Sequence, residues 1–139
     1  MERTLIFFKP NITLNGESIN AFLFFKNRAI FISRYELQRY PESFFKKFYE
    51  HIPEPNRSQH SKFCSSGPIG VAILDGDDVV EKVRKIIGST DSSKAEPKTL
   101  RGYFYRKYKP KVGYDNFIHA SATPENAERE IKIFFGGAK

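Results

Sequence analysis

Tryptophan is missing from the 139 residues, and cysteine and methionine occur once each. A single cysteine, Cys64, excludes an intramolecular disulfide, and no Cys/His cluster has the spacing of a zinc site. Both features favour a reducing compartment. Long apolar runs are missing too. The longest, such as Ala21-Phe22-Leu23-Phe24-Phe25, fall far below the ~18–20 residues of a membrane span. Charge interrupts the stretch from Met1 to Lys9 too early for a signal peptide, so a soluble, cytoplasmic protein is expected. Nine glycines and eight prolines are too few for a collagen-like or low-complexity chain. No internal repeat and no long linker divides the sequence, so residues 1–139 read as a single domain. A Walker-type Gly-Lys-Ser/Thr loop is also absent, and any phosphate site must be built from side chains.

What is present is globular in kind: 40% hydrophobic and 28% charged residues, enough for a core without staples. Lys and Arg number 23 against 16 Asp and Glu, a net charge of +7. That excess points to an anionic partner: a nucleotide, a nucleic acid or an acidic surface. Fourteen Phe and seven Tyr suit either base stacking or a Phe-built core. Most of the Phe lie in apolar runs, which favours the core.

The pattern predicts strands at 4–8, 29–35, 69–74 and 116–120. It predicts helices over 16–27, 41–51 and 77–87, the last ended by Gly88, with a short helical turn at 58–64. Thr123 caps a final helix, with Pro124 at its first position and Glu125 in its first turn. Residues 89–99 read as a polar loop, and 101–115 as irregular, basic and tyrosine-rich. Two split βαβ units of this order would make an antiparallel sheet of about four strands covered by helices, favoured over a doubly wound parallel sheet because the strands are short and no Gly-rich turn follows the first.

Of the three histidines, His51 and His60 read as surface residues. His119 differs: it closes a short strand, and the small residues Ala120 and Ser121 leave room around its ring. On the last helix Ala127, Ile131 and Phe134 form an apolar stripe, and Glu130 falls inside it. A carboxylate on a core-facing stripe needs a hydrogen-bonding partner, and His119, just upstream, is the natural one. Such a carboxylate fixes the tautomer and leaves the other ring nitrogen as a nucleophile. The plainer alternative is a structural strand-end histidine, with Glu130 reaching water. Lys9, Arg84, Thr90 and Arg101 sit at element ends. Singly each suits a solvated surface; together they suit a phosphate clamp.

The stretch 116–131, reading NFIHASATPENAEREI, resembles the active-site signature of nucleoside diphosphate kinases. Lys9-Pro10, Phe48-Tyr49, Ser66-Gly67-Pro68, Arg84 with Gly88 and Thr90, and Thr99-Leu100-Arg101-Gly102 are similar to the same family at its spacing. The resemblance implies a ferredoxin-like α/β (α+β) sandwich, ping-pong transfer of a γ-phosphate from a nucleoside triphosphate to a nucleoside diphosphate through a phosphohistidine, with Mg²⁺ on the nucleotide, and a homo-oligomer (hexamer, tetramer or dimer). It implies that His119 is the nucleophile, that Glu130 orients its ring and that Ser121 supports Glu130. Tyr49, Lys9, Arg84, Thr90 and Arg101 match the groups around the phosphates and the histidine, and Asn116 matches the sugar-contacting asparagine.

Several departures accompany the resemblance, among them a 101–116 segment a few residues longer than usual that carries Arg106, Lys107, Lys109 and Lys111. Asn11-Ile12 replaces the family's usual Asp-Gly. Asn56 stands where an aromatic usually stacks on the base, leaving Arg57, Tyr103, Tyr105 or Tyr108 as candidates to cover it. Ser92 replaces a proline important for subunit contacts. A catalytically weak nucleotide- or protein-binding relative is the alternative reading. A nucleic-acid-binding sheet is disfavoured, because no strand carries an RNP-like run of aromatics and glycine.

Overall fold

A computed structural model describes residues 1–110 and 117–136. Four strands form one antiparallel sheet in the order β2-β3-β1-β4: β1 is Glu2–Phe8, β2 Phe31–Gln38, β3 Ile69–Gly76 and β4 Ile118–Ala120. The helices are α1 (Pro10–Thr13), α2 (Ser18–Phe22), α3 (Glu42–Phe48), α4 (Asn56–Ser65), α5 (Val79–Ile87), α6 (Leu100–Tyr108) and α7 (Pro124–Phe135). This is the expected ferredoxin-like sandwich.

Strand side chains alternate between two faces, and so make two cores. Ile6 and Phe8 of β1, with Ala72 and Leu74 of β3, meet α1, α2, α5 and α6 on one side. Leu5 and Phe7, with Val71 and Ile73, meet α3, α4 and α7 on the other. Ile118 and Ala120 join the first core. His119 between them therefore projects to the second side, directly across the ladder from Phe7.

Several elements differ from the sequence reading. The helix expected over 16–27 is two pieces, α2 and a 3₁₀ turn at Leu23–Phe25, preceded by α1 at Pro10. Residues 29 and 30 precede β2 rather than opening it, and Ala29 takes a left-handed φ of 56°; β2 instead runs on to Gln38. The helical turn expected at 58–64 is the ten-residue α4, which begins at Asn56. The largest difference is α6, in a segment expected to be irregular. Thr99 caps it by accepting the amide of Gly102 (3.1 Å), and Leu100 and Phe104 bury its apolar edge. Lys107 donates to the buried Glu17 carboxylate (2.6 Å), as does the Tyr108 hydroxyl, while Asn20 donates from the other side (2.7 Å). These three bonds hold Glu17 down to about 2, against the pull of burial, and tie the end of α6 to α2.

Gly88 fixes how α5 meets α6. Its φ is 89°, and a Cβ there would lie 2.5 Å from the Thr99 hydroxyl. Only glycine supplies both the left-handed turn and the close approach. The carbonyl of Gly88 is thereby free to accept from Arg101 (3.0 Å).

Candidate active site

The site lies where the end of β1 runs beside the start of β4. The Lys9 amide donates to the carbonyl of Phe117 (2.9 Å), holding the start of the loop after β1 against the entry to β4. Lys9 itself is only 2% exposed. The His119 ring stacks on Phe7, with centroids 4.9 Å apart and planes 20° from parallel, and Phe48 meets it edge-on at 5.1 Å. Two phenylalanines thus fix the plane of the imidazole. Sequence reasoning had assigned neither of them this role.

Glu130 fixes the rotation of the ring within that plane. As expected from the stripe on α7, it faces inward and is 4% exposed. Its Oε1 lies 2.8 Å from His119 Nε2 and accepts from the Ser121 hydroxyl at 2.7 Å. Ser121, fully buried, in turn accepts from the amide of Leu5 (3.3 Å). An ionised carboxylate can only accept, so Nε2 carries the proton and Nδ1 keeps its lone pair. Burial raises the affinity of Glu130 for a proton, but the bonds from His119 and Ser121 and the charge of Arg129 hold its pKa below the ordinary value. Burial also lowers the pKa of His119; Lys9 and Arg101 act in the same direction, while Glu130 opposes them. The imidazole is therefore neutral at neutral pH, as a nucleophile must be.

The cations converge from other elements. Arg101, 5% exposed, donates to the carbonyls of Gly88 and, at 2.9 Å, of Ile118, next to His119. Its Nε has no protein partner among the described residues. Burial and the neighbouring Arg84 lower its pKa to about 10, so it stays charged. Arg84, in the last turn of α5, and Thr90, after Gly88, are both exposed. Tyr49, at the end of α3, is buried with its hydroxyl 3.8 Å from the Cys64 sulfur. Burial, then Cys64, raises its pKa well above the ordinary value, keeping the phenol a neutral donor. Glu130 thus holds the His119 ring with Ser121 behind it, Lys9 and Arg101 act on the ring electrostatically, and Arg84 and Tyr49 act on Arg101. Asn56 is exposed in the first turn of α4. Asn116 lies outside the described residues.

His60 corrects the sequence reading. His51 is exposed as expected, but His60 is half-buried, with its ring 5.2 Å from that of Tyr49. The signal was available: His60 lies four residues before the buried Cys64, on the same face of a helix once α4 is given its full length.

A neutral imidazole, oriented through one nitrogen by a carboxylate and close to buried cations, is an arrangement chemically able to accept and release a phosphoryl group. Comparison with known proteins specifies it further. The family model described as nucleoside diphosphate kinase matches residues 2–139. The nucleoside diphosphate kinase of Thermus thermophilus is 35% identical over 136 residues, covering 97% of this chain and 96% of that protein. The one from Methanocorpusculum labreanum is 36% identical over 140 residues, covering 100% of this chain and 91% of that protein. Among solved structures, the Aquifex aeolicus nucleoside diphosphate kinase superposes with a TM-score of 0.86 at 33% identity, covering 96% of this chain and 94% of that one. A halophilic nucleoside diphosphate kinase from Halobacterium salinarum, in complex with CDP, gives 0.84 at 28% identity, covering 96% of this chain and 87% of that one. The chain belongs to the nucleoside diphosphate kinase family.

Proposed function

We infer that the protein moves the γ-phosphate of a nucleoside triphosphate to a nucleoside diphosphate by a ping-pong reaction through His119. The observation that carries this is the hydrogen-bonded trio His119–Glu130–Ser121, facing Lys9 and Arg101. Nδ1 attacks the γ-phosphorus in line; the N–P bond forms as the bond to the β-phosphate oxygen breaks, and the first diphosphate leaves. The positive charge gained by the ring lies against the Glu130 carboxylate. A terminal phosphate oxygen of the second diphosphate then attacks the phosphohistidine, and the ring returns to neutral. Lys9, Arg84 and Arg101 offset charge on the transferring oxygens, with Tyr49 and Thr90 as neutral donors. Lys9 and Asn116 are assigned to the sugar.

A divalent cation, assigned as Mg²⁺, would be carried by the nucleotide's phosphates, where it neutralises phosphate charge beside the buried cations Lys9 and Arg101. A cytoplasmic location suits the lone Cys64, which is buried as a free thiol. Incubation with ATP and Mg²⁺, followed by removal of nucleotide, should leave acid-labile phosphate on the protein that GDP then discharges as GTP. Protein that takes no label, or label that no diphosphate removes, overturns the assignment.

Two further expectations follow from particular residues. Asn56 offers an amide where a base would otherwise stack on a ring, and an aromatic stack is worth roughly 1–3 kcal/mol per base. Asn56→Phe is expected to tighten ADP and GDP more than CDP and UDP, as measured by titration, because purines present the larger face. Equal, unchanged affinities would assign the base to Arg57 or to Tyr103, Tyr105 or Tyr108. The protein is also expected to form a homo-oligomer. β2 is an edge strand with Phe31 (60%), Ile32 (51%) and Leu37 (58%) exposed, and an apolar edge is a template for pairing. Leu37→Glu should lower the solution mass read by light scattering, and an unaltered mass would exclude this edge as the contact.

A further inference from the structure

Both hydrogen bonds that the Glu130 side chain makes fall on one of its two oxygens. Oε1 lies 2.8 Å from His119 Nε2 and accepts from the Ser121 hydroxyl at 2.7 Å. Oε2 accepts no hydrogen bond among the described residues; its ion-pair partner there is Arg129, whose Nη2 stands 3.7 Å away. That distance is too long for a hydrogen bond, so the contact is one of charge. Neighbouring residues of a helix do not face each other, so the long Arg129 side chain must fold back to reach Oε2. Both residues line a cavity of about 510 Å³ that His119 also lines, together with Asn126 of α7 and with Glu50 and His51 just after α3. Of the described residues lining this cavity, Arg129 alone is a permanent cation.

We propose that Arg129 is a positioning residue of the reaction: it holds Glu130 by Oε2, and the carboxylate, held at both oxygens, keeps Oε1 on His119 Nε2. This rests on the reading of His119 as the nucleophile. A carboxylate turns about its last bond in a broad torsional well, so bonds at Oε1 alone leave its plane loosely set. Attraction at Oε2 fixes that plane, and with it the direction in which the ring's Nε2–H points. The same charge favours the ionised carboxylate, which can only accept from Nε2. A protonated carboxyl would instead donate to that nitrogen, and the ring would then carry its proton on Nδ1, the atom that has to attack. No other group facing Glu130 supplies this charge: on β4 the His119 ring is neutral, Ser121 after it is uncharged, the Tyr49 phenol at the end of α3 is neutral, and Glu50 beside it is acidic. The Arg129 side chain is 41% exposed, so water screens the pair and its effect is modest.

Three variants of the full chain test this. Arg129→Gln should slow phosphoenzyme formation from ATP about two- to fivefold, with KM and ADP affinity unchanged. Arg129→Lys restores the charge and should restore the rate, because the contact needs no hydrogen bond. Lys132→Gln removes a like charge from an exposed position of α7 and should change nothing. Nitrogen-15 NMR of the His119 ring in the ligand-free protein gives the second reading. The wild-type ring should show its proton on Nε2, and Arg129→Gln should add a fraction with the proton on Nδ1. A glutamine variant with wild-type rate and ring signals overturns the proposal. So does a loss confined to KM, which would make Arg129 an attractor of substrate, a loss that lysine does not repair, or an equal loss in Lys132→Gln. Failure of the nucleophile assignment looks different: the wild-type protein forms no phosphoenzyme, while the ring signals still report whether Arg129 acts on Glu130.

Discussion

His119→Ala is expected to abolish formation of acid-labile phosphoenzyme from ATP and to reduce transfer to a second diphosphate by at least ~10⁴-fold, the order seen when a covalent nucleophile is removed. Binding of ADP should survive. Lys9, Arg84 and Arg101 remain, and Arg101 is anchored by the carbonyls of Gly88 and Ile118 and not by the imidazole. Alanine also leaves the ladder pairing of β4 with Phe7 intact, so the fold should hold. Rapid-quench labelling together with ADP titration separates the two effects. Transfer within tenfold of wild type would mean that another group takes the phosphate. The wild-type pH profile carries the same signature. Burial lowers the pKa of His119, so its neutral, attacking form persists below the ordinary imidazole value. The acid limb of kcat/KM should accordingly fall below about pH 6.5, the reverse of what a carboxylate-raised imidazole would show.

Much of this site is legible in the sequence because its parts obey periodic rules. His119 closes a strand, Glu130 interrupts the stripe of Ala127, Ile131 and Phe134, and Thr123-Pro124 announces the start of α7. An inward carboxylate requires a donor, and the structure supplies the nearest one. Features that depend on tertiary burial are harder to read. Arg101 and Gly102 break any apolar stripe on α6, yet both are buried: Arg101 donates to the carbonyls of Ile118 in β4 and Gly88 after α5, and a Cβ at Gly102 would run into the carbonyl of Glu96. The segment therefore scans as polar and basic, although Thr99 caps it and Leu100 and Phe104 face inward. Similarly, His60 scans as polar surface when α4 is cut short. Full helical length puts it between Asn56 and Cys64, and Tyr49, from a different helix, turns that placement into burial. The stacking of Phe7 and Phe48 on His119 depends on the pairing of β1 with β4, which no local pattern encodes.

Glu130→Gln tests the other half of the reactive pair. Glutamine has nearly the same shape and can still accept from His119 Nε2, but it removes the charge that stabilises the ring once Nδ1 is phosphorylated. Charge-assisted hydrogen bonds are worth about 1.5–3 kcal/mol, so phosphoenzyme formation should slow by roughly 10- to 150-fold, at 1.36 kcal/mol per factor of ten. ADP affinity should change far less, because the carboxylate touches the imidazole and not the phosphates. The split between turnover and affinity is the diagnostic. Stability against pH gives an independent reading. The pKa of Glu130 is depressed in the folded protein, so its contribution is present above the ordinary carboxylate value of about 4.3 and is lost as pH falls through the folded value. Thermal melts of the wild-type protein should decline through that acid window, and those of the glutamine variant, with nothing to titrate there, should decline less. Unchanged turnover would mean that Phe7 and Phe48, which already fix the plane of the ring, suffice to aim Nδ1, and that the Glu130 charge serves only to hold α7 against β4.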